Sequence, residues 1–191
     1  MRALALCLAV AACGKSDSAS EPLPSRAEGA KTASGQKAST AAFCDFHKAD
    51  DSGPTLQLPA LGEYKITSKP KTWTWLNVWA TWCKPCVEEM PRLAAWQQKL
   101  SAQKPISLEF VSVDDSDDVV AAYQKEHHDP PRTARLADPS TKETWFTQLG
   151  LDAAAPIPLH IFVSPTGHIR CARAGSIRDA DFAAIQLLLS E

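Results

Sequence analysis

Two cysteines, in the order Cys83-Lys84-Pro85-Cys86, stand between an apolar aromatic run and a helical pattern. No other feature limits what this chain can fold into so tightly. The run Trp73–Trp79 follows a Lys/Pro-rich turn and reads as a buried strand. From Lys84 to Ala102, Val87, Met90, Leu93, Ala94 and Leu100 recur at helical spacing, with Pro91 expected to kink the helix. A cysteine at such a helix start meets unpaired backbone N–H groups and the positive end of the helix dipole, and both favour thiolate over thiol. Lys84 adds positive charge, and Pro85 sits in the first turn, where its missing N–H costs nothing. The spacing places both sulfurs on one helix face. Cys83, nearer the open end, is expected to attack, and Cys86, one turn deeper, to resolve the mixed disulfide. Disulfide exchange requires that division of labour.

Two blander readings compete, a plain disulfide and half of a zinc site. Zinc needs two more ligands. Cys44, Cys171 and five histidines are available, but the chain has no second C-x-x-C and no H-x₃₋₅-H pair. Neither a metal nor another cofactor is expected. The flanking Trp82 and the strand-to-helix position favour redox chemistry. The formal net charge of −2 leaves no basic footprint for nucleic acid. No run of about 18 apolar residues is present to span a bilayer as a helix.

Further elements alternate along the chain. Ile106–Val113 reads as a second buried strand ended by Asp114-Asp115. Asp117–Glu126 opens with acids suited to a helix N-terminus, and Ser140-Thr141-Lys142-Glu143 is a capping-box pattern for a short helix that stops at Gly150. Leu159–Val163 and His168–Ala174 flank a Pro165-Thr166-Gly167 turn, hence a hairpin. Phe182, Ile185, Leu188 and Leu189 form one face of a last helix. This order predicts an α/β fold with a central mixed β-sheet flanked by helices. His127 and His128 read as solvated helix-end residues, and His160, on a strand, reads as structural.

The first residues look like an address. Arg2 precedes the apolar stretch Ala3–Ala12, and Val10-Ala11-Ala12-Cys13-Gly14 resembles the lipobox of bacterial lipoproteins. An ordinary signal peptide is the alternative. On the lipoprotein reading residues 1–12 are a signal peptide, Cys13 carries lipid, and residues 13–42 form a flexible tether. That segment is poor in large apolar side chains and would span roughly 30 Å if flexible. Residues 43–191 are then the folded domain, monomeric and facing the periplasm from a membrane of the bacterial cell envelope. With Cys7 and Cys13 set aside, four of the six cysteines remain, an even number that fits an oxidising compartment. Cys44 and Cys171 are either buried free thiols or partners. A Cys44–Cys171 disulfide is expected, because it would pin the start of the domain to the sheet.

The stretch Trp79-Ala80-Thr81-Trp82-Cys83-Lys84-Pro85-Cys86-Val87-Glu88-Glu89-Met90-Pro91 resembles the exported thioredoxin-like proteins of the TlpA/ResA/DsbE group, and the resemblance covers about residues 43–191. It implies a thioredoxin-like fold and thiol–disulfide oxidoreductase activity. Pro91 matches the group's proline after the second cysteine, and Glu89 matches a proton-handling acid. Asn77 stands where cytoplasmic thioredoxins have a buried Asp, which implies that the role has passed to Glu89. Ile157-Pro158 matches the group's cis-proline by its distance from Gly167, with Pro156 as competitor. In that fold the cis-proline lies beside the disulfide, and the residue before it offers backbone hydrogen bonds to a substrate peptide. Trp82, Ile157 and Pro158 are therefore expected to bind substrate. Leu159 and His160 replace the group's usual hydroxyl residues. The implied partners are exported protein thiols or disulfides, with cytochrome c or copper-site maturation as settings, together with a redox donor or acceptor that the sequence does not identify. A copper-binding chaperone and a thiol peroxidase of the same fold are the alternatives.

Overall fold

The computed structural model describes residues 38–66, 69–128 and 130–191. The signal peptide, Cys13 and all but the last residues of the expected tether lie outside the described residues. The strands are β1 (Phe46–His47), β2 (Trp73–Trp79), β3 (Ile106–Ser112), β4 (Thr133–Arg135), β5 (Leu159–Val163) and β6 (Ile169–Ala174). They form one sheet in the order β1-β6-β5-β2-β3-β4. β2, β3 and β4 run parallel, whereas β5 lies antiparallel to β2, and β6 antiparallel to both β5 and β1. The helices are α1 (Thr40–Phe43), α2 (Lys84–Ser101), α3 (Asp117–Glu126), α4 (Lys142–Gln148) and α5 (Phe182–Leu188).

Every residue of β2 is buried, as its unbroken apolar run requires of a central strand covered on both faces. α2 buries Cys86, Glu89, Met90, Leu93, Trp96 and Leu100 along one stripe and continues through Pro91. Its far end packs against the last helix through Trp96 and Phe182, with ring centroids 5.0 Å apart. On α3, Ser116 caps the first turn by accepting from the Val119 N–H at 3.4 Å.

Two expectations need correction, and two short strands were not read from the sequence. The turn before α4 is capped not by Ser140 but by Asp138, whose Oδ1 accepts from the Ser140 N–H at 2.9 Å. Pro139, with φ preset, opens a single 3₁₀ turn ahead of the helix proper. The short edge strands β1 and β4 carry too few residues for any periodicity and exist because β6 and β3 offer them ladder partners. The ordered domain begins before residue 43. Thr40 is buried and its hydroxyl donates to Glu191 Oε1 at 2.7 Å, so α1 docks on the C-terminal residue. Ser39, Thr40, Ala41 and Ala42 are too small and polar for their composition to have distinguished them from a tether.

Cys44 and Cys171 form a disulfide with Cα atoms 5.6 Å apart, joining the end of α1 to the middle of β6. Phe43 lies edge-on to Phe162 beside it, at 6.2 Å. The bridge closes a loop of 127 residues. A Cys44→Ala/Cys171→Ala variant is expected to lose about 2–5 kcal/mol of unfolding free energy in urea titrations. After gentle reduction and alkylation, mass spectrometry of the unchanged protein is expected to find label at Cys83 and Cys86 before Cys44 or Cys171.

Candidate active site

β2 ends at Trp79, and Ala80-Thr81-Trp82 must turn the chain into α2. Asp114, buried just beyond the parallel strand β3, holds that turn. Its carboxylate accepts from the Thr81 N–H at 3.0 Å, from the Thr81 hydroxyl at 2.8 Å and from the Ser112 hydroxyl at 2.7 Å. Charge-assisted bonds to a backbone N–H and two hydroxyls fix the approach to the helix. Cys83 is then the N-cap of α2, without a side-chain cap of its own, and its carbonyl accepts from the Val87 N–H at 3.1 Å.

Cys83 and Cys86 are joined as a disulfide, with Cα atoms 5.3 Å apart. Cys83 retains 5% exposure and Cys86 none. The order of access is the expected one, but only a thin edge of Cys83 reaches solvent. Trp82, at 69% exposure, stands beside that edge. The Lys84 ammonium is 3.7 Å from Glu88, one turn along, and both are exposed, so its charge is shared with a carboxylate. The Ile157–Pro158 peptide is cis, and the Ile157 carbonyl oxygen lies 3.8 Å from Cys83 Sγ. Pro158 is buried, whereas Pro156 is exposed. Cys83, Cys86, Ile157 and Pro158 thus come together, and Cys44–Cys171 forms a separate bridge.

Beneath the disulfide, Glu89 follows Cys86 by one helical turn and is 2% exposed. Its Oε1 accepts from Asn77 Nδ2 at 3.1 Å, and its Oε2 from the Ile177 N–H at 3.1 Å. Asn77 therefore lies next to Glu89. The histidine set aside as structural joins this group. His160 is fully buried, with Nε2 3.3 Å from Glu89 Oε1. One signal pointed to it, a lone titratable residue in an otherwise apolar strand two positions after Pro158. Its strand register against Asn77, which places both on one face, was not readable from sequence. Asp114 and Ser112 were missed as well, since an acid after a strand reads as a turn. His127 remains at the end of α3, its ring stacked on Tyr123 at 3.8 Å. Among the described residues, no three His, Cys, Asp or Glu side chains cluster as a metal set.

A family model described as AhpC/TSA family matches residues 42–172, which contain both active-site cysteines and the cis-proline. The chain belongs to the AhpC/TSA family. Within it, the chain is 27% identical over 133 residues to the thiol-disulfide oxidoreductase ResA of Oceanobacillus iheyensis, covering 65% of this chain and 64% of that protein. It is 39% identical over 49 residues to the thioredoxin-like protein YneN of Bacillus subtilis, covering 25% of this chain and 29% of that one. The chain thus spans just under two thirds of the first relative's length and under a third of the second's. Among solved structures, one described as a thiol:disulfide interchange protein DsbE from Chlorobium tepidum superposes with a TM-score of 0.54 at 21% identity, over 76% of this chain and 97% of that one. A thiol-disulfide isomerase from Corynebacterium glutamicum superposes with a TM-score of 0.52 at 16% identity, over 74% and 99%. These likenesses establish the thioredoxin-like fold of this AhpC/TSA family member.

The Asp114 clamp is open to test. Asp114→Ala leaves the half-buried Thr81 donors and the buried Ser112 hydroxyl without their acceptor, so a loss of about 2–3 kcal/mol is expected in urea titrations. The same variant should show a looser turn, seen as faster hydrogen exchange at Thr81.

Proposed function

We propose that this chain is a thiol–disulfide oxidoreductase acting on exported protein thiols or disulfides. The carrying observation is a Cys83–Cys86 disulfide at the start of α2, with the Ile157 carbonyl 3.8 Å from the more accessible sulfur. In the disulfide form, a partner thiolate attacks Cys83 Sγ, the Cys83–Cys86 bond breaks, and Cys86 leaves as a thiolate that takes up a proton. A second partner thiolate then attacks the partner sulfur of the mixed disulfide and releases the Cys83 thiolate. Two electrons pass from the partner dithiol to the domain, which ends as a dithiol. The reverse sequence reduces a partner disulfide: Cys83 attacks, Cys86 gives its proton to Glu89, and the Cys86 thiolate closes the ring. The direction follows the relative reduction potentials of domain and partner. Backbone groups at Ile157 and the exposed face of Trp82 supply the docking surface for the partner chain.

The leader pattern ending at Cys13 and the even count of remaining cysteines support a lipid-anchored domain facing the periplasm from the cell envelope. The resemblance to the TlpA/ResA/DsbE group supports maturation of cytochrome c or copper sites as the setting. Full burial of Cys86 and its bond to Cys83 favour exchange chemistry over metal carriage or peroxide reduction.

Cys83→Ser is expected to abolish exchange, and Cys86→Ser to accumulate mixed disulfides on non-reducing gels. In the reduced protein Cys83 should alkylate faster than Cys86, and equal rates at neutral pH would overturn the assignment. Glu89→Gln should slow exchange and alter the acid limb of its pH–rate profile. Its amide NH₂ must face one of the donors that the carboxylate now accepts, so a stability loss of about 1–3 kcal/mol is expected alongside.

A further inference from the structure

A buried histidine that the exchange steps above do not use touches the acid that they do. Trp75 Nε1 lies 3.3 Å from His160 Nδ1. An indole nitrogen only donates, so Nδ1 must accept, and the proton of the neutral ring sits on Nε2. Asn77 Nδ2 lies 3.4 Å from the same Nδ1. The Asn77 amide is oriented by its other contact, since a carboxylate at 3.1 Å requires the NH₂ group there. Two donors thus converge on Nδ1, and a second ring proton has no place without breaking both contacts. These contacts fix the tautomer, with the ring N–H on the side of Glu89.

That N–H has no aligned hydrogen-bond partner among the described residues, although Nε2 is only 3.3 Å from Glu89 Oε1. It is a fully buried donor set off-line beside a fully buried acceptor, so a small turn of the ring or carboxylate closes the bond. Oε1 then has both acceptor positions filled, by Asn77 and His160, while Oε2 accepts, among the described residues, only from the Ile177 N–H. The other groups here are few. Arg173 on β6 stands opposite His160 in register, but its guanidinium bonds the Phe43 carbonyl at 2.8 Å. Arg92 on α2 bonds the Ile177 carbonyl and Asp179, each at 2.9 Å, outside the buried layer. Cys86 precedes Glu89 on α2, and Trp75 and Asn77 from β2 carry no charge.

We propose that His160 is a positioning residue for thiol–disulfide exchange. As an Nε2–H donor whose tautomer Trp75 fixes, it holds the Glu89 carboxylate through Oε1 and leaves Oε2 to take the Cys86 proton. This rests on the reading of Glu89 as the group that takes that proton. Removing the donor makes the carboxylate harder to ionise, so the acid limb should move to higher pH.

The test follows oxidation of the reduced, full-length protein by oxidised glutathione as a function of pH in the wild type, His160→Leu, His160→Gln and Glu89→Gln. His160→Leu is expected to raise the midpoint of the acid limb by about one pH unit, roughly a tenfold loss of rate below it. His160→Gln, whose amide N–H stands near the Nε2 position, is expected to return most of the shift. An altered limb in Glu89→Gln with an unmoved limb in folded His160→Leu would overturn the role of His160 and leave Glu89 in place. An unchanged limb in Glu89→Gln would overturn the reading of Glu89 itself. A second measurement needs no variant: ¹⁵N spectra of histidine-labelled wild type should show His160 protonated at Nε2 and bare at Nδ1 from about pH 5 to 8. A proton on Nδ1, or titration to the imidazolium in that range, would overturn the proposal even if His160→Leu does not fold.

Discussion

A carboxylate buried beneath a disulfide must be met by hydrogen-bond donors, or its ionised form is too costly to keep. Glu89 meets that constraint with donors from separate parts of the chain, Asn77 on the central strand and the Ile177 backbone after β6, with the His160 ring on β5 beside them. Supplying them requires α2 to lie across β2 and β5 and the chain after β6 to return over the helix. The Arg92 guanidinium ties that return in place by bonding the Ile177 carbonyl, whose own N–H serves Glu89. The position of the reactive helix and the hydrogen bonding of its buried acid are therefore one problem, answered by a single arrangement of strands.

The approach to that helix is governed by a second buried acid of different function. Asp114 engages Thr81 and Ser112 and no sulfur, so its effect on chemistry passes through geometry alone. Parallel pairing of β2 with β3 puts the ends of both strands at the same edge of the sheet, as Trp79 opposite Ser112 shows. Reactive cysteines at the carboxyl end of a central strand and a clamp at the end of its neighbour follow from that pairing.

The two disulfides divide by environment rather than by bond chemistry. Cys83–Cys86 sits at a helix start, where backbone N–H groups stabilise a departing thiolate and one sulfur keeps a solvent edge. Cys44–Cys171 ties the end of α1 to β6 beside Phe43 and Phe162; Cys171 is fully buried and Cys44 keeps an edge as thin as that of Cys83, but neither sulfur sits at the start of a long helix. One bond is placed to exchange and the other to hold α1 on the sheet. Contacts from Thr40, His47 and Arg170 to the Glu191 carboxylate reinforce that attachment.

Much of this was legible in the residues themselves. The apolar run Trp73–Trp79, the helical spacing after Lys84, the Pro165-Thr166-Gly167 turn and the Cys83–Cys86 pair are local patterns, and local sterics and periodicity determine what they become. The cis-proline and the acid at Glu89 were readable through resemblance to a family whose motif surrounds them. What the sequence did not carry was adjacency across the sheet. Whether His160 is a structural strand residue or a neighbour of Glu89 depends on its register opposite Asn77, and whether Asp114 ends a turn or clamps one depends on parallel pairing with β2. The same holds for the edge strands and for Thr40, whose roles come from partners far along the chain. Side-chain type and spacing are written locally, so the chain by itself determined the elements and the reactive pair. Hydrogen-bond partnership between buried groups is a property of the folded sheet, so only the tertiary structure decided which polar residues share one buried layer.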